Sequence, residues 1–201
     1  MNKPASHESY PDIHHDNYSR TTFGFWVYLM SDFILFGALF AAYVVLAGSI
    51  HGGPSAKDLF QLPYTFVQTC VLLLSSFFAG LAGASAHRKH KSRTMLFFAI
   101  TFLLGIVFMG MEFNEFSRFA SAGHGWDQSA FLSAYFTLVG THGLHVLFGL
   151  LWVIVLLFPV WREAEISPVS IRRLTCLRMF WQFLNVVWVL IFSFVYLMGV
   201  K

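Results

Sequence analysis

The stretch from Ala130 to Pro159, AFLSAYFTLVGTHGLHVLFGLLWVIVLLFP, contains no Asp, Glu, Lys or Arg. A helix rises about 1.5 Å per residue, so this stretch is longer than the roughly 30 Å hydrocarbon core of a bilayer. We therefore predict that it crosses a membrane as one α-helix. His142 and His145 lie inside it, three residues apart, where their imidazoles are far from bulk water and need hydrogen-bond partners.

The composition of the whole chain supports a membrane protein. Of its 201 residues, 57% are apolar and only 11% are charged, against about 25% charged residues in a soluble domain. Five stretches are nearly free of charge, and none alternates with the period of a barrel strand. We predict an all-α fold, an integral membrane bundle of five transmembrane helices. The predicted spans cover residues 23–47, 63–86, 94–113, 130–159 and 176–200.

The basic residues predict how the chain is oriented. Residues 1–22 form a polar tail that lacks the apolar segment of a signal peptide, and residues 23–200 form the five-helix domain. Ten of the 13 Lys and Arg residues lie in this tail, in the loop around Lys89 or in the loop before the fifth span. Positive residues favour the cytoplasmic side, so we expect a cytoplasmic N-terminus and a periplasmic C-terminus in a bacterial inner membrane. The same distribution explains the net charge of +3 without nucleic-acid binding.

Three of the spans place polar side chains at a similar depth. Asp32 and Asn185 lie roughly 13 Å from the cytoplasmic ends of their spans, and His142 lies about 18 Å from the outer end of its own. An unpaired acid is costly in hydrocarbon, so we expect Asp32 to contact His142, His145 or a group near Asn185, directly or through one water. This buried polar layer, which also includes Gln182, is either an interhelical hydrogen-bond clamp or a proton path.

The histidines argue against a bound cofactor. Among the nine histidines, only His142 and His145 lie within predicted spans, and both are on one helix. Haem with two histidine ligands needs them on opposite faces, and a metal ion bound with Asp32 would lack further ligands. We therefore expect neither haem nor metal in this chain. Glu112 and Glu115, at the outer end of the third span, are expected to form a solvated helix end.

Several short motifs resemble, in order and spacing, subunit III of the haem-copper respiratory oxidases. The motifs are FWVYLMSD at 25–32, GME at 110–112, THGLHV at 141–146, NVVW at 185–188 and YLMG at 196–199. They extend over nearly all of the chain after the tail, and they include Glu112 and Trp188. With five spans, the chain looks closest to the short subunit III of the bacterial bo-type ubiquinol oxidases.

The resemblance implies an accessory subunit of a proton-pumping terminal oxidase in an aerobic respiratory chain. Such a subunit carries no haem or copper, because these lie in the catalytic subunit I on which it packs. In the family it holds phospholipid in a cleft between its helices and supports the proton uptake and stability of subunit I. Its expected partners are therefore subunit I, the other oxidase subunits and membrane lipids.

The chain departs from the family at several polar positions. Many members have His and Asp where this chain has Gln182 and Asn185, and commonly a Glu where it has Gln61 or Gln68. Amides keep hydrogen bonding but cannot hold a transferable proton, so a proton relay through these positions is disfavoured. Two alternatives remain: subunit III of a cytochrome c oxidase, and a small transporter or channel. No helix has the mid-span Gly or Pro interruption that discontinuous transporter helices show.

Overall fold

The computed structural model describes residues 13–49, 60–123, 125–162 and 165–200, with side chains from residue 19 onward. Within these residues, five helices are long and apolar enough to cross a membrane, which confirms the predicted fold class. The helices are α1 (Ile13–Leu46), α2 (Leu62–His87), α3 (Lys91–Ser121), α4 (Ala130–Arg162) and α5 (Pro168–Ile191). A π-helical segment, Phe192–Leu197, continues α5.

The helix bounds differ from the predicted spans by more than three residues at three ends. Helix α1 begins at Ile13, inside the predicted tail, whose residues 1–12 lie outside the described part of the chain. Helix α3 continues eight residues beyond position 113, to Ser121. Helix α5 begins at Pro168 instead of 176, because Ser167 caps it by accepting a hydrogen bond from the Ser170 backbone N–H at 3.2 Å. Hydropathy located the apolar middle of each helix and missed its polar ends.

Helix α5 is the central element of the bundle. It packs against α1, α2 and α4, while α2 also packs along α3, and α3 along α4. In the described residues, the extensive contacts of α1 are with α4 and α5. It is the least buried of the five helices. Its inward face is a single stripe, formed by Leu29, Asp32, Phe36 and Tyr43. The bundle therefore consists of four closely packed helices with α1 added at one side.

Trp181 of α5 contacts three other helices at once. Its indole Nε1–H donates to Ser75 Oγ of α2 at 3.0 Å, and Ser75 in turn donates to the Thr101 carbonyl of α3 at 3.1 Å. The indole ring fills space left by two glycines. A Cβ atom at Gly105 of α3 would lie 2.9 Å from the ring, and one at Gly149 of α4 would lie 3.0 Å from it.

Trp188 repeats this arrangement two turns later. Its indole Nε1–H donates to Thr69 Oγ1 of α2 at 3.0 Å. Its ring packs edge-on against Phe108 of α3, with centroids 4.7 Å apart, and against His142 of α4 at 5.1 Å. Trp181 and Trp188 are each at most 2% exposed. The two tryptophans thus fix the mutual rotation of α2, α3, α4 and α5.

We predict that Gly105→Ala destabilises the protein, because its methyl group would press on Trp181 and on Leu150 Cδ2, 2.8 Å away. Overpacking of this kind costs about 1–3 kcal/mol, so the melting temperature of the detergent-solubilised chain should fall. Gly110→Ala on the same helix is the matched control, because no heavy atom lies within 4 Å of its added Cβ. Equal melting temperatures for the two variants would contradict the close packing of Trp181 on α3.

Candidate functional site: buried polar groups and two membrane-facing grooves

Asp32 pairs with His145 across the contact of α1 with α4. The Asp32 carboxylate oxygen Oδ2 lies 3.9 Å from His145 Nε2, within ion-pair distance but longer than a direct hydrogen bond. The other ring nitrogen, Nδ1, lies 2.7 Å from the Thr141 carbonyl. A carbonyl only accepts, so Nδ1 carries a hydrogen and Nε2 faces the acid. The pair therefore connects α1 to α4 within the membrane-spanning part of the bundle.

His142 has a different partner from His145. Its Nε2 donates to the Leu184 carbonyl of α5 at 3.1 Å, while Nδ1 is buried without a hydrogen-bond partner. Phe36, Phe108 and Trp188 surround the imidazole, with ring centroids between 5.1 and 6.5 Å away. The two histidines of the THGLHV motif thus connect α4 to two different helices.

Glu112 and Glu115 are buried, so the expectation of a solvated helix end is wrong. Each is at most 2% exposed. The expectation failed because the charges look like the end of a span, whereas α3 continues to Ser121 and is covered here by α4 and by Tyr196. The Glu112 carboxyl lies directly against Gly143, where any side chain would collide with it.

Two tyrosines satisfy part of this acidic pair. Tyr196, in the π-helical end of α5, donates from its hydroxyl to Glu115 Oε2 at 3.1 Å. The hydroxyls of Tyr196 and Tyr135 lie 2.8 Å apart. Glu112 Oε2 and Glu115 Oε1 are buried without a hydrogen-bond partner. The result is a second polar cluster on the outer half of the bundle, formed by α3, α4 and α5, which the sequence did not indicate.

Gln182 and Asn185 do not join Asp32 and His145, so the predicted single layer is divided. They line a groove of about 440 Å³ between α2 and α5, with Ser76 and Gly80 on its other wall. Gln182 is exposed and Asn185 is half-buried, with its Oδ1 atom buried and lacking a hydrogen-bond partner. Matched depth predicted that Asp32 contacts His142, His145 or a group near Asn185, and the contact is with His145, but depth carries no information about how each helix is rotated about its axis.

A second groove lies between α1, α4 and α5, near the N-terminal end of α5. It encloses about 500 Å³, and Arg172 and Arg173 line one part of it. It adjoins a further 460 Å³ space lined by aromatic side chains, because Phe25, Tyr28 and Trp152 belong to both. The two guanidinium groups therefore lie beside a mainly apolar, aromatic space.

The described residues offer no cluster of three or more His, Cys, Asp or Glu side chains that could hold a metal ion. Both intramembrane imidazoles are oriented by backbone carbonyls, His142 by that of Leu184 and His145 by that of Thr141. The contacts of these two imidazoles connect α4 to α5 and to α1.

The family model described as cytochrome c oxidase subunit III matches residues 6–200. A cytochrome bo(3) ubiquinol oxidase subunit 3 of Pseudomonas aeruginosa is 50% identical over 188 residues, which cover 94% of this chain and 90% of the relative. The protein of the same name from Pseudomonas putida is 46% identical, with 92% and 89% covered. A cytochrome c oxidase subunit 3 of Bacillus sp. strain PS3 is 43% identical, with 88% and 84% covered.

We predict that Asp32→Leu lowers the melting temperature of the purified protein more than Asp32→Asn does. The amide still offers a polar partner to His145 Nε2, directly or through one water, whereas Leu leaves this nitrogen with none, which costs about 1–3 kcal/mol; Nδ1 keeps its bond to Thr141 in both variants. Ser31→Ala is the matched control, because the exposed Ser31 hydroxyl bonds only the Val27 carbonyl of its own helix at 3.3 Å. Equal loss for Asn and Leu would show that hydrogen bonding at Asp32 contributes nothing to helix packing.

Proposed function

The chain belongs to the cytochrome c oxidase subunit III family, and from this membership we propose that it is the accessory third subunit of a proton-pumping haem-copper quinol oxidase. One observation carries the proposal: it is 50% identical, over 94% of its length, to a ubiquinol oxidase subunit 3. In this role the chain has no redox centre, and haem and copper are held by subunit I. The chain packs on subunit I and supports its stability.

The chemistry of the two intramembrane histidines supports a subunit without its own haem. A haem iron takes a ring nitrogen with a free lone pair directed into an open space. His142 Nε2 is engaged by Leu184, and the imidazole is enclosed by aromatic rings. His145 is held between Thr141 and Asp32. Its role in this proposal is to hold α1 against α4.

A quinol is the proposed electron donor of the complex. Relatives with 50% and 46% identity are ubiquinol oxidase subunits, against 43% for the cytochrome c oxidase subunit of Bacillus sp. strain PS3. The alternative, a cytochrome c oxidase, differs in how electrons enter the complex, and that entry point belongs to other subunits. The donor of the purified complex therefore distinguishes the two.

A small transporter or channel is the other alternative, and the aromatic packing argues against it. A path for ions or protons through this bundle would need polar side chains from one face of the membrane to the other. The Asp32–His145 pair and the Glu115–Tyr196 cluster lie on different sides of His142, which Phe36, Phe108 and Trp188 surround in the described part of the chain.

Phospholipid is the proposed occupant of the groove lined by Arg172 and Arg173. The guanidinium groups would attract the phosphate, and the adjoining aromatic channel of Phe25, Tyr28 and Trp152 would hold an acyl chain. A lipid bound there would connect α1 to the rest of the bundle, because the groove lies between α1, α4 and α5. This role agrees with the support of proton uptake that the family resemblance implies.

We further propose a location in the bacterial inner membrane, with the N-terminus in the cytoplasm and the C-terminus in the periplasm. The loop around Lys89 and the first turns of α5 then face the cytoplasm with most of the basic residues, as the positive-inside rule requires. Of the basic residues in this count, Lys3, Lys57 and Lys201 lie outside the described residues.

We predict that the tagged chain, purified in mild detergent, brings with it a protein that shows haem absorbance. The same chain produced alone should contain no stoichiometric haem, copper or iron by absorbance and metal analysis. Haem absorbance in the chain produced alone would overturn the accessory role. Failure to recover any haem protein with the chain from its own membranes would overturn the proposed assembly.

Reporter fusions are predicted to give opposite locations for the loop at Lys89 and for the C-terminus after Val200. A reporter that is active only in the cytoplasm should work at Lys89 and fail at the C-terminus, and a reporter that needs the periplasm should do the reverse. Two cytoplasmic locations would mean that one of the five helices does not cross the membrane.

A further inference from the structure

A polar stripe runs along the membrane-facing side of α5. Arg178, Gln182 and Asn185 follow one another at i, i+4 and i+7, so they lie on one face of the helix. Gln182 is 14 residues from Pro168, about 21 Å along the helix axis. The apolar part of this helix begins near Cys176, so Gln182 lies about 9 Å and Asn185 about 13 Å from its cytoplasmic end, inside the hydrocarbon region.

Small residues of α2 form the opposite wall. Ser76, Gly80 and Gly83 have the same i, i+4, i+7 spacing. Arg178 lies flat against Gly83, where an added Cβ would be 2.5 Å from the Arg178 Cδ atom, and Gln182 Nε2 is 3.9 Å from the corresponding position at Gly80. The stripe and this small-residue wall form the groove of about 440 Å³ described above, and we call it the amide groove.

Hydrogen-bonding capacity in the amide groove is not used within the described part of the chain. Asn185 Oδ1 and Arg178 Nε are buried atoms without a hydrogen-bond partner, and the Gln182 side chain is exposed. Other hydroxyls on the membrane-facing surface are satisfied by their own helices, Ser31 by Val27 and Ser193 by Val189. The amide groove therefore differs from the surface at Ser31 and Ser193, because polar atoms of its residues lack hydrogen-bond partners in the described part of the chain.

Acyl chains cannot supply the missing partners, because they have neither donors nor acceptors. Lipid head groups lie at the membrane surface, and the Arg172–Arg173 groove already offers them a site there. A transmembrane helix, by contrast, can place polar side chains at the depth of Gln182 and Asn185. Small residues on both sides let such a helix approach closely, and Ser, Thr, Asn and Gln connect helices in membranes by hydrogen bonds.

We propose that the amide groove is the surface on which a transmembrane helix of the haem-bearing subunit docks. The docked helix supplies a donor to Asn185 Oδ1, a hydrogen-bonding group to Gln182 and an acceptor, carboxylate or carbonyl, at the level of Arg178. This inference rests on the proposed function, since it names the face through which the accessory subunit meets its partner.

Photo-crosslinking in the assembled complex tests the proposal. With p-benzoyl-phenylalanine at position 182, irradiation should join the chain to the haem-bearing subunit, which mass spectrometry of the product identifies. Position 154 is the matched control, because Ile154 is 52% exposed on α4, away from the groove. The docking site is overturned if position 182 crosslinks only to lipid. It is also overturned if position 154 crosslinks to a protein and position 182 does not.

The same preparation separates the two proposals. If haem absorbance shows that the complex is intact and position 182 gives no protein product, the docking surface is wrong while the accessory function stands. If no haem protein accompanies the unsubstituted chain, the accessory function itself is wrong.

Substitutions give an independent test, because lipid and protein neighbours predict opposite effects. Gln182→Leu and Asn185→Leu should each lower the haem recovered with the tagged chain by about threefold, and the double variant by about tenfold, from the usual strength of interhelical hydrogen bonds. The melting temperature of the isolated double variant should equal or exceed that of the unsubstituted chain, because Leu suits a micelle.

Ser193→Ala is the control on the same helix, since the Ser193 hydroxyl already bonds the Val189 carbonyl at 2.8 Å. It should leave haem recovery unchanged. Unchanged haem recovery with the double variant would place lipid in the amide groove and overturn the proposal.

Discussion

The hydrogen bonds of two indole groups on α5 determine how the other helices are arranged. A buried N–H in a membrane has no water to bind, so each indole must find its acceptor on a neighbouring helix. Trp181 finds Ser75 and Trp188 finds Thr69, both on α2 at 3.0 Å. The rings of both tryptophans also pack against α3 and α4. Once these two bonds form, α2, α3 and α4 have little freedom to rotate or slide relative to α5.

The polar groups that were candidates for function follow from that arrangement. With Trp188 in place, its ring packs against His142, whose Nε2 reaches the Leu184 carbonyl one turn earlier on α5. The next turns of α5 bring Tyr196 to Glu115. Helix α1 is not part of this hydrogen-bonded set in the described residues, and the Asp32–His145 pair connects it to α4. The Asp32–His145 pair therefore belongs to the contact of α1 with the bundle. Glu112 and Glu115 belong to the four-helix core.

Hydropathy predicted which segments are helices and how deep each residue lies in the membrane. It did not predict which face of a helix a residue lies on, because that depends on how the helix is rotated about its axis. Five spans, and the meeting of Asp32 with a histidine of α4, follow from hydropathy and depth. Glu112 and Glu115 were misplaced because a hydropathy window treats any carboxylate as the end of a span, although one face of a helix can bury it, Glu112 against Gly143 and Glu115 beneath Tyr196. Gln182 and Asn185 were misplaced because the depth of a residue in the membrane does not show which neighbouring helix its side chain faces. A periodic signal did exist: Trp181 and Trp188 are seven residues apart, which puts two large amphipathic rings on one face of α5.

The division between ionisable and amide side chains has a physical reason. Asp32 and Glu115 lie where a second side chain of the same protein stabilises them, His145 for the first and Tyr196 for the second. Gln182 and Asn185 lie where the partner must come from outside the chain. A carboxylate there would be an unpaired charge in hydrocarbon whenever the partner was absent, and an amide costs far less to expose. Amides on an outward face therefore let the subunit fold first and join its complex afterwards, whereas folding itself supplies the polar partners of Asp32 and Glu115.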